Sequence, residues 1–120
     1  MINITMGMLL LAGSLAAQNY AGIWNGQGGK EDAKYGTVPQ TAQMTLLQAG
    51  SSVSGGSLKL GNFTPLTIVS GSVSGTKLSF VAQTKNGQQI TANLTASGGQ
   101  LTGKMYGSNG TVFDFVFTKH

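Results

Sequence analysis

The chain has no cysteine, no arginine and a single histidine, His120, at its last position. Each absence removes a class of chemistry. Without cysteine there is no disulfide, no thiolate nucleophile and no Cys-based zinc site. One His and three carboxylates (Glu31, Asp32 and Asp114) cannot assemble a closed zinc site, so no metal or other cofactor is expected. A residue at a chain end frays, which leaves a Ser-His-Asp triad without a base held in place. Charged residues make up 8% of the chain, and the seven positive ones are all Lys, spread from Lys30 to Lys119. Phosphate recognition favours clustered basic residues and the bidentate fork of Arg, so no nucleic-acid partner is expected.

What is present is apolar, polar-uncharged and rich in turns. Hydrophobic residues reach 40% of 120 and Gly numbers 19. A disordered chain would be charged and poor in apolar residues. Residues Met6 to Ala17 form an apolar run ending in small residues. Both Ser14-Leu15-Ala16 and Leu15-Ala16-Ala17 offer cleavage positions for signal peptidase, although Met1 to Thr5 carry no positive charge. The run is too short to span a bilayer as a helix. This pattern predicts a signal peptide over residues 1–17 and one domain over 18–120. The mature chain would then be periplasmic or extracellular, with no membrane span. The competing reading is a short N-terminal element packed on the domain.

From residue 20 onward the period is two. Ile90, Ala92, Leu94 and Ala96 alternate with Thr91, Asn93 and Thr95, and Phe113, Phe115 and Phe117 alternate with Asp114, Val116 and Thr118. The alternation predicts eight strands, over about 20–26, 41–48, 52–60, 65–73, 77–84, 88–96, 100–107 and 111–118, and no helix. Turn signals punctuate them. Asn86-Gly87 and Asn109-Gly110 suit type I′ hairpins, Gly98-Gly99 does the same work, and Gly50 and Gly75 mark two more turns. One long connection, Gln27–Gln40, reads as a loop that either binds or simply moves. Val53-Ser54-Gly55-x-x-Leu58 recurs as Val73-Ser74-Gly75-x-x-Leu78. The two copies sit at opposite ends of their strands, which argues for composition bias over a solenoid.

The fold expected is all-β: an antiparallel eight-strand meander closed as a small up-and-down barrel, with a two-sheet sandwich as the alternative. The inward set is Met44, Leu46, Leu58, Leu60, Leu66, Ile68, Leu78, Phe80, Ile90, Leu94, Leu101, Met105, Phe113, Phe115 and Phe117. These are large side chains for a short chain, so a filled interior is expected rather than a roomy one.

The first strand reads Tyr20-Ala21-Gly22-Ile23-Trp24-Asn25-Gly26, and Gly22-x-Trp24 resembles the G-x-W signature of the calycins, that is lipocalins, fatty-acid-binding proteins and avidins. The segment is also similar to short exported bacterial domains with a G-x-W-x-G motif. The closing Val116-Phe117-Thr118-Lys119 resembles the last strand of avidin-type barrels. The resemblance implies that Trp24 plugs one end of the barrel and that a late basic residue, here Lys119, packs over it. Avidins line their biotin pocket with several Trp, whereas this chain has one.

The residues most suited to touch a ligand are Trp24, Tyr35 on the long connection, Tyr106 and Asp114. If the face of Val112 and Val116 turned inward, Asp114 would be desolvated and its pKa raised. Three Phe outweigh two Val, at roughly 2–3 kcal/mol each, which places Asp114 outside. The expected function is a non-enzymatic exported binding module for a small apolar ligand, a sugar or a protein, with its cavity opening beneath residues 27–40. Two alternatives remain: an interaction or surface domain with a filled core, and a small hydrolase pairing Asp114 with Glu31 or Asp32.

Overall fold

The computed structural model describes residues 18–61, 64–108 and 110–120; residues 1–17, on which the signal-peptide expectation falls, Asn62, Phe63 and the Asn109 turn position lie outside them. Eight strands follow one another: β1 (Gly22–Asp32), β2 (Gly36–Ala49), β3 (Ser52–Leu60), β4 (Leu66–Ser74), β5 (Lys77–Gln83), β6 (Gln89–Ser97), β7 (Gln100–Gly107) and β8 (Val112–Lys119). Each pairs antiparallel with the next, and β1 pairs with β8, closing the sheet into a barrel. An unbroken ladder leaves neither the two-sheet sandwich nor a solenoid.

Period-two alternation in the sequence becomes alternation of burial. Every residue of the inward set is buried, and Tyr20, Trp24, Ala42, Val53, Val73, Ala82 and Ala92 join it. Among the described residues no polar or charged side chain is buried.

The 27–40 segment is not a loop. β1 and β2 continue through it as a ladder from Gln27↔Thr41 to Asp32↔Gly36, joined by a three-residue turn. The signals that read as breakers are accommodated by position. Pro39 lies past Ala42↔Leu60, the last β2–β3 pair, where β2 is an edge strand and proline is tolerated. At Gly28 and Gly29 the neighbouring strand passes too close for a side chain: a Cβ on Gly28 would strike the carbonyl of Asp114. Asp32 fixes the turn, its Oδ1 accepting the N–H of Lys34 (2.8 Å) and of Tyr35 (2.9 Å).

The two ends of the barrel differ in their turns. At one end β2–β3, β4–β5 and β6–β7 are joined by two residues each, and Gly98 and Gly99 both have positive φ (60° and 81°), as the sequence implied. At the other end the connections are longer: residues 33–35, 61–65, 84–88 and 108–111. Asn86-Gly87 is not the centre of a two-residue hairpin. Gly87 N–H donates to the Thr84 carbonyl at 3.1 Å, so Lys85 and Asn86 are the central residues and Gly87, with φ 85°, follows them. Gly110 bonds to Gly107 in the same way, at 3.0 Å.

The closing seam rests on glycine opposite phenylalanine. In β8, Phe117 faces Gly26 and Phe115 faces Gly28 across the β1 ladder, while on the other side Phe115 faces Gly103 of β7. A Cβ on Gly26 would lie 2.6 Å from Cε1 of Phe117, and one on Gly103 would strike the Asn93 carbonyl. The three rings run in series, Phe113–Phe115 at 6.0 Å and Phe115–Phe117 at 5.5 Å between centroids. Bare backbone at these positions lets the strands approach and bend tightly enough to close, and at Gly26 it gives the Phe117 ring its space.

Gly28→Ala and Gly103→Ala should each lower stability by about 1–3 kcal/mol through overpacking, seen as a reduced urea midpoint at unchanged m-value. Thr102→Ala, on the exposed face of β7, should change it by no more than about 0.5 kcal/mol.

Candidate binding site

The end with short turns is shut. Trp24 is buried there, and its Nε1–H donates to the Tyr20 carbonyl at 2.9 Å. Nζ of Lys119 lies 5.7 Å from the Trp24 ring centroid, the geometry of a cation–π contact. Residues 18–21 do not extend β1 as the sequence implied. They cross the barrel end, and the Tyr20 hydroxyl donates to the Gly75 carbonyl on the far side at 3.0 Å. Gln48 holds this segment: its Oε1 accepts the Tyr20 N–H at 2.8 Å, and its Nε2 donates to the carbonyls of Gly50 and Gln18. Burial pushes the Tyr20 phenol above its ordinary pKa. No local signal marks Tyr20 as a second plug, because its partners are 28 and 55 residues away.

The carboxylates meet on the outside. Asp114 faces solvent, because the phenylalanines on either side of it take the interior. Lys104, its cross-strand partner, bonds to it at 2.6 Å and to Glu31 at 2.8 Å. The ammonium lies between the two carboxylates, and each side chain is close to half exposed. The hydrogen bond from Lys104 draws Asp114 below the usual carboxylate range, with Glu31 adding to the effect. In turn Asp114, then Glu31, raises Lys104. Asp32 is lowered by the N–H groups of Tyr35 and Lys34. A general acid needs a raised pKa. Asp114 and Asp32 are moved the other way; all three carboxylates line a broad open depression of about 570 Å³ outside the barrel, with the Lys104 ammonium between Glu31 and Asp114.

The four candidate ligand residues do not share a site. Trp24 is enclosed at the shut end. Tyr35 stands at the tip of the β1–β2 turn, 70% exposed, with Lys34 Nζ 5.2 Å from its ring. Tyr106 and Asp114 lie on the outer faces of β7 and β8, near each other but pointing away from the interior.

The end with long connections is open. A recess of about 140 Å³ lies there. Its floor is Leu60, Leu66, Ile90 and Phe113, and its rim is Thr64, Thr84, Gln88, Gln89, Gly107, Ser108 and Thr111. It does not open beneath the β1–β2 turn, as the sequence implied, since no residue of 27–40 lines it. Larger hollows lie outside the barrel. One of about 690 Å³ is a broad polar depression lined by Asn25, Gln27, Thr41, Gln43 and their neighbours. Among the described residues, the mouth is where an apolar floor meets a polar edge, the composition small-molecule sites need.

The chain is similar in fold to designed β-barrels. One is a redesigned barrel, b11L5F_LGL, at TM-score 0.63 and 12% identity over 83% of this chain and 90% of that one. A second is a redesigned barrel, mFAP0, bound to DFHBI, at TM-score 0.59 and 15% identity over 85% and 100%. A third is a de novo designed fluorescence-activating β-barrel, at TM-score 0.59 and 14% identity over 87% and 96%. No protein-family model and no curated protein sequence matches the chain.

Sequence reasoning finds the mouth floor as core and misses it as a site. Leu60, Leu66, Ile90 and Phe113 carry the same alternation as the rest of the interior. The signal that could have marked them is turn length, two residues at one end against three to five at the other.

The pH dependence follows from the lowered carboxylates. Their folded-state pKa values lie below the ordinary 3.8. Their contribution is therefore present above that value and is lost as the pH falls through the folded values. Urea midpoints should hold down to about pH 5 and fall below pH 4, and Asp114→Asn should flatten part of that acid slope.

Proposed function

We propose that this chain is an exported, non-enzymatic binding barrel of the calycin type, which takes a small apolar ligand into its open mouth. One observation carries the reading: the barrel is shut by Trp24, Tyr20 and Lys119 at one end and opens onto an apolar-floored recess at the other. An eight-strand barrel has an interior that side chains fill or that holds one small ligand. Here large side chains fill the interior among the described residues, and the recess lies at the mouth. The recess matches in size an apolar cavity of about 150 Å³ that stays dry and admits benzene. A ligand of one ring is the scale it fits. A barrel of this fold bound to the compound DFHBI supports the reading. The Gly22-x-Trp24 motif with Lys119 over the ring supports the calycin comparison. The apolar run ending at Ala16-Ala17 supports export to the periplasm or the medium, with the mature domain starting at about residue 18.

A second reading rests on how much of the interior is packed. It makes the chain an interaction domain whose contacts lie outside. Ile23, Leu47 and Val69 are exposed apolar side chains, and Tyr35 and Tyr106 are exposed aromatics suited to a protein or sugar partner.

An NMR titration with toluene separates the two. On the first reading, amide resonances of Leu60, Leu66, Ile90 and Phe113 shift in a saturable manner, those around Trp24 stay put, and Ile90→Trp abolishes the response while the fold persists. Shifts confined to the outer faces, or none, would leave the second reading in place. Export has its own check. The mass of the secreted product should correspond to a chain starting after Ala16 or Ala17; an intact Met1 on protein outside the cytoplasm would remove the leader.

A further inference from the structure

The rim of the mouth carries a specific hydrogen-bonding bias. Two of its backbone segments satisfy each other. Thr84 N–H donates to the Gln88 carbonyl at 2.9 Å, and Ser108 N–H donates to the Gln89 carbonyl at 2.9 Å. Two of its hydroxyls are used in one direction. Thr84 Oγ1 accepts the Gln88 N–H at 3.2 Å, and Ser108 Oγ accepts the Gln89 N–H at 3.3 Å. A hydroxyl has one proton and two lone pairs. Accepting from the backbone anchors each oxygen at the rim and leaves its proton to be donated elsewhere. Both residues line the recess.

Charge is the second element. Among the described residues, none that lines the recess is ionisable. Lys85 belongs to the same turn as Thr84 but is exposed and does not line it. An ion entering the mouth would lose water against Leu60, Leu66, Ile90 and Phe113 and gain no counter-charge, a cost far above that of a neutral polar group.

We propose that the mouth selects a neutral ligand of about one ring that bears an acceptor oxygen, of ketone, ester or ether type, met by the hydroxyl protons of Thr84 and Ser108. The apolar part fills the recess against Leu60, Leu66 and Ile90, and the oxygen sits at the rim. The inference rests on the mouth being the binding site and adds the class of ligand. It separates molecules that apolar burial alone would not: toluene and acetophenone offer the same ring, and only the second offers an acceptor.

The test is an NMR titration of the full chain at pH 7 with toluene, acetophenone, benzoate and benzylammonium. Acetophenone should bind about fivefold more tightly than toluene, the worth of one net hydrogen bond. Benzoate and benzylammonium should bind at least about tenfold more weakly than acetophenone. Thr84→Val combined with Ser108→Ala should bring acetophenone down to the affinity of toluene and leave toluene unchanged. Thr84→Ser and Ser108→Thr, which keep the hydroxyls and the turn bonds, should preserve the preference. Equal affinity for toluene and acetophenone in the native chain, or benzoate binding as tightly as acetophenone, overturns the selectivity while the site stands. No response of Ile90 and Phe113 to any of the four overturns the site, and the selectivity with it.

Discussion

The closure of this barrel depends on the absence of side chains along one seam. β8 brings Phe115 and Phe117 against β1, and the ladder fits because Gly28 and Gly26 stand opposite. Gly103 stands opposite Phe115 on its other flank, where the absent side chain lets the backbone of Asn93 and Leu94 pass close. A methyl group at any of these positions would meet a ring or a backbone carbonyl. Eight strands in a flat sheet would expose two long edges, and closure alone removes both. Glycine, an unfavourable residue for an isolated strand, is what allows the sheet to bend back on itself. The phenylalanine rings restore the apolar contact that the glycines give up.

That seam also fixes the polarity of the molecule. With β1 and β8 locked in register, Trp24 pairs with Lys119 and Met44, and the first residues of the fold are directed across the barrel end beneath them. Tyr20 and Gln48 complete the plug without any charged group inside. At the opposite end the connections are longer, and among the described residues an apolar-floored recess of about 140 Å³ lies there. The plug is thus made by residues 18–21 folding across an end of two-residue turns, on walls of the same composition as those of the mouth. The outer face is a separate matter. Its Glu31–Lys104–Asp114 cluster joins three strands, and its charges neutralise one another at high exposure, where ion pairs contribute little to stability.

Much of this is legible in the chain. Eight runs of alternating side chains, spaced by Gly-containing turns, specify strands and their inner faces, because a strand can bury only every second residue. The placement of Asp114 outside follows from weighing the three phenylalanines against Val112 and Val116. The segment 27–40 misleads because local signals dominate there. Gly28, Gly29 and Pro39 look like breakers, yet in the barrel the two glycines are close-approach points and the proline sits on an edge. The turn at Asn86-Gly87 lies one position away from where its residues suggest: the Thr84 carbonyl accepts the Gly87 N–H, and Thr84 N–H in turn bonds the Gln88 carbonyl.

Which side chains face inward, that the described chain is strand and turn, and where most of the turns fall are all properties of period and backbone freedom. Both are local, so the order of residues is enough to specify them. Folding in three dimensions was needed to settle which end is shut and which open, and to make Tyr20 a plug. It was needed equally to let Lys104 gather two carboxylates from other strands and to stand Thr84 and Ser108 beside one recess. Those relations join residues tens of positions apart. They depend on register and on the closing of the sheet, and neither leaves a mark in any short stretch of chain.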